Sequence, residues 1–73
     1  MKLSDCKNGE KVKIINVSAG IGAVKNLTRL GLNIGNVIEI IRSSFLNGPI
    51  VISYRDTEIA IGHGLAEKIR IEK

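Results

Sequence analysis

The sequence is poor in aromatic residues, cysteine and long apolar runs, and each shortage argues against a class of protein. Aromatic residues make up 3% of the chain, too few for the base-stacking surface of a barrel that binds single-stranded nucleic acid or for a proline-rich peptide groove. The one cysteine, Cys6, cannot form a disulfide within the chain, which fits a reducing compartment. No apolar run approaches the ~20 residues of a membrane helix, and none precedes LSDC at residues 3–6 as a leader would. We therefore expect a cytoplasmic protein.

What the chain does contain is typical of one small β-rich domain. Its 73 residues leave room for a single core, so residues 1–73 are predicted to form one domain. Hydrophobic residues make up 44%, and many are the β-branched residues that favour strands. The net charge of +4 could suit nucleic acid, but the basic residues are spread from Lys2 to Lys73 among acids. A solvated surface is the favoured interpretation, and nucleic acid is not the favoured partner.

The residues that could carry chemistry are few and scattered. No serine, histidine or carboxylate has the spacing of a nucleophilic or acid–base pair, so no catalytic residue is assigned and the chain is not expected to be an enzyme. Cys6 and His63 are the candidate metal ligands. A structural zinc site takes four ligands, so these two residues do not make an internal site. A site shared across a homodimer, with Asp5 or Glu67 added, stays open, as does a bound transition-metal ion. The structural alternative is a buried Cys6 and a polar turn residue at His63.

The first half of the chain predicts a strand, a glycine-rich loop and a helix. KVKIINV at residues 11–17 begins with alternation and then changes parity, which indicates a bulge or a strand covered on both faces. SAGIG at 18–22 is interpreted as a loop. AVKNLTRL at 23–30 has helical spacing, with Ala23, Leu27 and Leu30 on one face. Gly31 suits the left-handed end of a helix, and Gly35 suits the third place of a type II turn.

Short apolar segments with strand alternation fill the second half. They lie at 37–43, 49–55, 57–62 and 68–73, with one helical turn at 63–67. Together with the first strand they predict a mainly β fold, a small five-stranded Src-homology-3-like (SH3-like) barrel with one short helix inserted after the first strand. Closure of the barrel would remove exposed strand edges.

The order of these residues resembles the ferrous iron transport protein A (FeoA) family over nearly the whole chain. The family's pattern of Leu-Ser, then a glycine before the first strand, matches Leu3, Ser4 and Gly9. Its signature, roughly Arg-Leu-x-x-Leu-Gly-Leu-x-Pro-Gly, is similar to residues 26–35, with Asn26 in place of Arg and Ile34 in place of Pro. Its Gly-Pro before the central strand and its final Ala-x-x-Ile match residues 48–49 and 66–69.

The resemblance implies an SH3-like barrel and a function. It implies a cytosolic accessory protein that binds FeoB, a membrane iron transporter with a GTP-hydrolysing domain. The same fold occurs as the C-terminal domain of metal-dependent repressors of the diphtheria-toxin-repressor type, and a free-standing version of that domain is one alternative. A small-barrel nucleic-acid-binding protein is the other.

The surface expected to bind the partner is the SAGIG loop with the exposed side of the following helix. The partner-binding candidates are Gly20, Ile21, Gly22, Lys25 and Arg29. Loops and helix exteriors are free for recognition because the rest of a small barrel builds its core. The glycines would let a partner approach the backbone, and the two cations would meet acidic groups. The alternative is a plain strand-to-helix connection whose charges aid solubility.

Overall fold

A computed structural model describes residues 1–18, 20–43 and 48–73. A short 3-10 turn at Leu3–Asp5 precedes strand β1, Lys11–Val17, and helix α1, Gly20–Arg29. Strands β2, Val37–Arg42, β3, Ile50–Tyr54, and β4, Thr57–Ile61, follow. The four-residue helix α2, His63–Ala66, leads into strand β5, Ile69–Glu72. No helix in these ranges has the length and apolar character needed to cross a membrane.

The five strands form one antiparallel sheet in the order β4-β3-β2-β1-β5. This confirms the predicted mainly β, SH3-like fold with one helix between the first two strands. The predicted closure differs in detail, because within the described ranges no pairing joins β4 to β5. The two ends of the sheet therefore remain edges.

A bulge in β1 explains the change of parity in KVKIINV. The register between β1 and β5 shifts between Ile14 and Asn16, so the strand gains one residue against its partner. As a result Val17 points into the core, whereas Ile15 is 42% exposed. The bulge, not a covering on both faces, is thus the correct one of the two predicted explanations.

The core is built mainly from aliphatic side chains of the sheet. Each strand contributes alternate residues, which is how the pleat places one set on the inner face. The residues outside the strands that complete it are Leu3, Cys6, Ala23, Leu27, Leu32 and Ala66. Leu30, predicted to share a helical face with Ala23 and Leu27, also packs against this core but is only partly buried.

Two glycines end α1 and turn the chain into β2 as predicted. Gly31 has φ +87, and the N–H groups of Gly31 and Leu32 donate to the carbonyls of Thr28 and Leu27, at 2.9 and 3.1 Å. This is the Schellman pattern. Gly35 has φ +99 and lies in a turn where the Asn36 N–H donates to the Asn33 carbonyl at 3.1 Å. The positive φ angles favour glycine at both positions.

Candidate interaction surface

Helix α1 begins earlier than the sequence indicates. Gly20, Ile21 and Gly22 form its first turn, so the prediction of a loop through residue 22 is wrong. Gly20 has φ +73, which lets the chain turn sharply from β1 into the helix. Glycine is poorly suited to helix interiors but costs less in the first turn, where the N–H groups have no intrahelical partner.

The outer face of α1 is apolar at its N-terminal end. Ile21 is 77% exposed and Val24, one turn later, is 38% exposed. Their spacing of three residues places them on one side of the helix, away from the buried Ala23 and Leu27. The predicted site residue Ile21 is therefore an exposed aliphatic side chain at the tip of a helix.

Two cations extend this face. Lys25 and Arg29 are exposed and four residues apart, so they lie on neighbouring turns. In the described part of the chain the ion pairs are His63–Glu67 and Lys73–Glu10, so both cations are free to meet an external anion. We call Gly20, Ile21, Gly22, Val24, Lys25 and Arg29 the α1 surface.

A groove runs beside the α1 surface, between the two helices. Gly22, Ala23 and Asn26 line it from α1, and Gly64, Leu65 and Lys68 line it from the α2 side, around about 410 Å³. A Cβ atom added at Gly22 or Gly64 would meet no atom within 4 Å. These glycines keep the groove open; the internal packing does not require them.

Cys6, a candidate metal ligand, is a buried thiol. It is 4% exposed, and its Sγ lies 3.8 Å from the Lys2 carbonyl oxygen as a weak donor. Burial first, and then the Glu10 and Asp5 carboxylates, raise the pKa of the Cys6 thiol to about 11. The thiolate that binds metals is therefore disfavoured at neutral pH, and Cys6 packs as a small hydrophobe.

His63, the other candidate, is engaged by Glu67, the residue that follows α2. Its Nε2 lies 2.7 Å from Glu67 Oε1, an i,i+4 contact on a short helix. Within residues 1–18, 20–43 and 48–73, no group of three or more His, Cys, Asp or Glu could hold a metal ion. The predicted ligands Cys6, His63, Asp5 and Glu67 do not form such a group within one chain.

The described residues also offer little aromatic surface on which nucleic-acid bases could stack. Tyr54 is partly buried against the core, and the Arg55 guanidinium carbon lies 5.3 Å from the centre of its ring. Phe45 lies outside the described residues. One aromatic ring covered by its own neighbour makes no stacking platform for bases.

Sequence reasoning missed Val24 and the α2 side of the groove. Val24 follows Ile21 at helical spacing, so a helix started at residue 20 would have revealed it. The contribution of Gly64, Leu65 and Lys68 depends on how α2 folds back beside α1, for which the local sequence carries no signal.

Fold and surface together define a small β-sheet module that carries an exposed aliphatic side chain at the start of its longer helix. The FeoA domain model matches residues 1–73. The chain therefore belongs to the FeoA family, as the resemblance indicated.

Similar proteins match nearly the whole chain. A protein from Methanocaldococcus jannaschii, named as an Fe(2+) transport protein A, is 44% identical over 70 residues, covering 96% of this chain and 83% of that protein. The crystal structure of an iron uptake regulatory protein (FeoA) superposes with a TM-score of 0.86 at 33% identity, over 99% of this chain and 93% of that one.

The fold also occurs inside a larger protein. The crystal structure of ScaR with bound Zn2+ gives a TM-score of 0.88 at 20% identity, covering all of this chain and 36% of that one. This likeness shows the shared fold alone.

Proposed function

We propose that this chain is a small cytosolic accessory protein of ferrous iron uptake, which acts by binding the cytosolic part of the membrane transporter FeoB through the α1 surface. Family membership supports the link to iron transport. The observation that carries the surface is Ile21, an aliphatic side chain with 77% of its area exposed at the tip of a helix. With the exposed Val24 it forms a small contiguous apolar patch beside two cations that are unpaired among the described residues, and apolar patches rimmed by polar residues are a mark of interaction sites.

Each part of the surface has a separate task in this proposal. Ile21 and Val24 supply the apolar contact, whose full burial is worth about 1.5–3 kcal/mol for one aliphatic side chain. Lys25 and Arg29 face acidic groups on the transporter and set the association rate and orientation more than the affinity. In this proposal the effect on iron passes through the transporter and does not require the chain itself to hold a metal ion.

The test makes two measurements on the parent and on each variant. One is binding of the purified chain to the cytosolic part of FeoB, and the other is ferrous iron uptake in cells. Ile21→Glu should weaken binding at least tenfold, because it buries a carboxylate in place of an aliphatic group. Lys25→Glu with Arg29→Glu should lower the association rate, most strongly at low salt. Both variants must first melt at the parent temperature.

A matched control separates the effect of changing the α1 surface from the effect of changing the net charge of the chain. Arg42→Glu with Arg55→Glu makes the same change of net charge at exposed positions away from α1. We expect this control to bind and to support uptake like the parent. Parent-like behaviour of both α1 variants would refute the surface, whereas absence of any binding by the parent would refute the proposed function.

A further inference from the structure

The two edge strands of the sheet, β5 and β4, differ in whether other backbone covers their outer sides. At the β5 edge, the Ile71 N–H donates to the Met1 carbonyl at 2.9 Å, and Lys2 forms a bridge to Arg70. The chain's own N-terminal residues therefore cover that edge. β4 lies at the opposite end of the sheet, and among the described residues no backbone hydrogen bond reaches its outer side.

The β3–β4 turn determines which groups of β4 point outward. Arg55 and Asp56 have φ +50 and +62, as the two central residues of a type I′ turn do. A two-residue turn closes on a hydrogen-bonded pair, here Tyr54 with Thr57. Bonded and non-bonded pairs alternate along an antiparallel ladder. Consequently Glu58 and Ala60 direct their N–H and C=O groups away from β3.

β4 also lacks three of the features that protect strand edges, namely lysine, proline and a bulge. The sequence TEIAI contains no lysine and no proline, and its pairing with β3 is regular from Thr57 to Ile61. By contrast, the β1–β5 and β2–β3 pairings both contain register shifts. A regular, unprotected edge is a template for another strand.

We infer that β4 pairs with β4 of a second copy of this chain, antiparallel and about a twofold axis at Ile59. In this register Glu58 lies opposite the partner's Ala60, and Ile59 lies opposite the partner's Ile59. Every outward N–H and C=O of Glu58 and Ala60 then finds a bond, because these residues form the bonded pairs of the new ladder. The two sheets become continuous.

Charge and parity select this register over its neighbours. An axis at Glu58 would set two carboxylates opposite each other, which is unfavourable. An axis at Ala60 would leave Glu58 opposite the partner's Gly62, beyond the end of β4. A shift by one residue would pair inward-facing side chains with outward-facing ones.

The side chains fit the same arrangement. Ile59 is partly buried against the core, and a non-bonded pair brings its side chains close together, so the two Ile59 side chains cover each other's exposed part. The new strand pairing involves only the five residues of β4 in each chain, and each chain carries a net charge of +4. The dimer is therefore weak and strengthens with added salt, which screens the repulsion.

Sedimentation equilibrium over a concentration series tests the dimer, and amide hydrogen exchange tests the register. The parent should dimerise at high concentration, with slowed exchange at the Glu58 and Ala60 amides. Ala60→Pro removes an outward donor without removing a bond to β3 and should weaken the dimer at least tenfold. Ala60→Ser keeps the donor at an exposed position and should dimerise like the parent.

Cysteine cross-linking gives a second measurement, independent of whether Ala60→Pro folds. In a Cys6→Ala background, Ile59→Cys should form an intermolecular disulfide. Thr57→Cys should not, since its two copies would be separated by four residues along the ladder, about 14 Å. A monomer at every concentration, or equal cross-linking at both positions, would overturn the inference. A monomer whose Glu58 and Ala60 amides are protected only by the transporter's cytosolic part would overturn it too.

Discussion

The Leu32 N–H donates to the Leu27 carbonyl at 3.1 Å across the left-handed Gly31, and both leucine side chains are buried. The backbone bond ends α1, and the side chains hold that end against the sheet. The last turn of α1 is thus fixed by a hydrogen bond and by buried leucine side chains at the same point. This is how a single helix is attached to so small a sheet.

The first prediction concerns Gly31. Gly31→Val should lower the free energy of unfolding by more than about 1 kcal/mol, because a β-branched residue is strained at φ +87. The cost is conformational, since an added Cβ would meet no atom within 4 Å. Asn26→Val, at an exposed position of the same helix, should change stability by no more than about 0.5 kcal/mol. Urea denaturation measures both, and equal costs would contradict the helix end.

The second prediction separates two leucines of α1 that the sequence pattern treats alike. Leu27 is 2% exposed, whereas Leu30 is only partly buried. Leu27→Ala should therefore cost roughly 2–5 kcal/mol, a large part of the stability of a small domain. Leu30→Ala should cost clearly less because solvent already reaches it. Thermal and urea unfolding of both variants provide the comparison; a larger loss at Leu30 would contradict the packing described.

The sequence predicts those parts of the fold that depend on local chemistry. Gly31 and Gly35 are recognisable because positive φ angles have a residue signature, and alternation in the second half of the chain locates β2 to β5. The start of α1 is mispredicted for the same reason: glycines that usually mark a loop here occupy a first helical turn. The uncovered edge of β4 and the groove between α1 and α2 depend on strand order and on contacts between distant segments, which local patterns do not encode.

The third prediction is a pH dependence from Cys6. Burial raises the pKa of the Cys6 thiol from its ordinary value of 9.0 to about 11 in the folded state, so the folded state favours the neutral thiol. Its contribution to stability is therefore complete below pH 9 and is lost as the pH rises through 11. By the size of the shift the loss is at most about 2–3 kcal/mol. Other side chains also ionise at alkaline pH. The informative quantity is therefore the difference in unfolding free energy between the parent and a variant without the thiol.

Cys6→Ala supplies that difference. The alanine variant should be less stable than the parent at pH 7, because it leaves a small cavity. Its stability should fall less than that of the parent between pH 8.5 and 11, since it has no thiol to ionise. Urea denaturation of both chains across this range measures the two slopes. Parallel pH profiles would mean that burial does not hold the thiol neutral.

The last prediction uses Gly22 to separate folding from binding. Gly22 has no positive φ, and an added Cβ would meet nothing within 4 Å, so Gly22→Ala should fold normally. It should also be stabilised by up to about 1 kcal/mol, since alanine is the better helix former. On the α1 surface the same methyl group occupies space that a partner's backbone would need. Binding to the cytosolic part of FeoB should therefore weaken while the melting temperature rises or stays unchanged.

Gly64→Ala is the matched control across the groove. Gly64 also has an unobstructed Cβ position but lies on α2, outside the α1 surface. If the partner contacts only the α1 surface, Gly64→Ala should bind like the parent. If the partner also fills the groove, both substitutions should weaken binding by similar factors. Normal binding by Gly22→Ala would show that no partner atom approaches the first turn of α1, and the α1 surface would then have to begin at Val24.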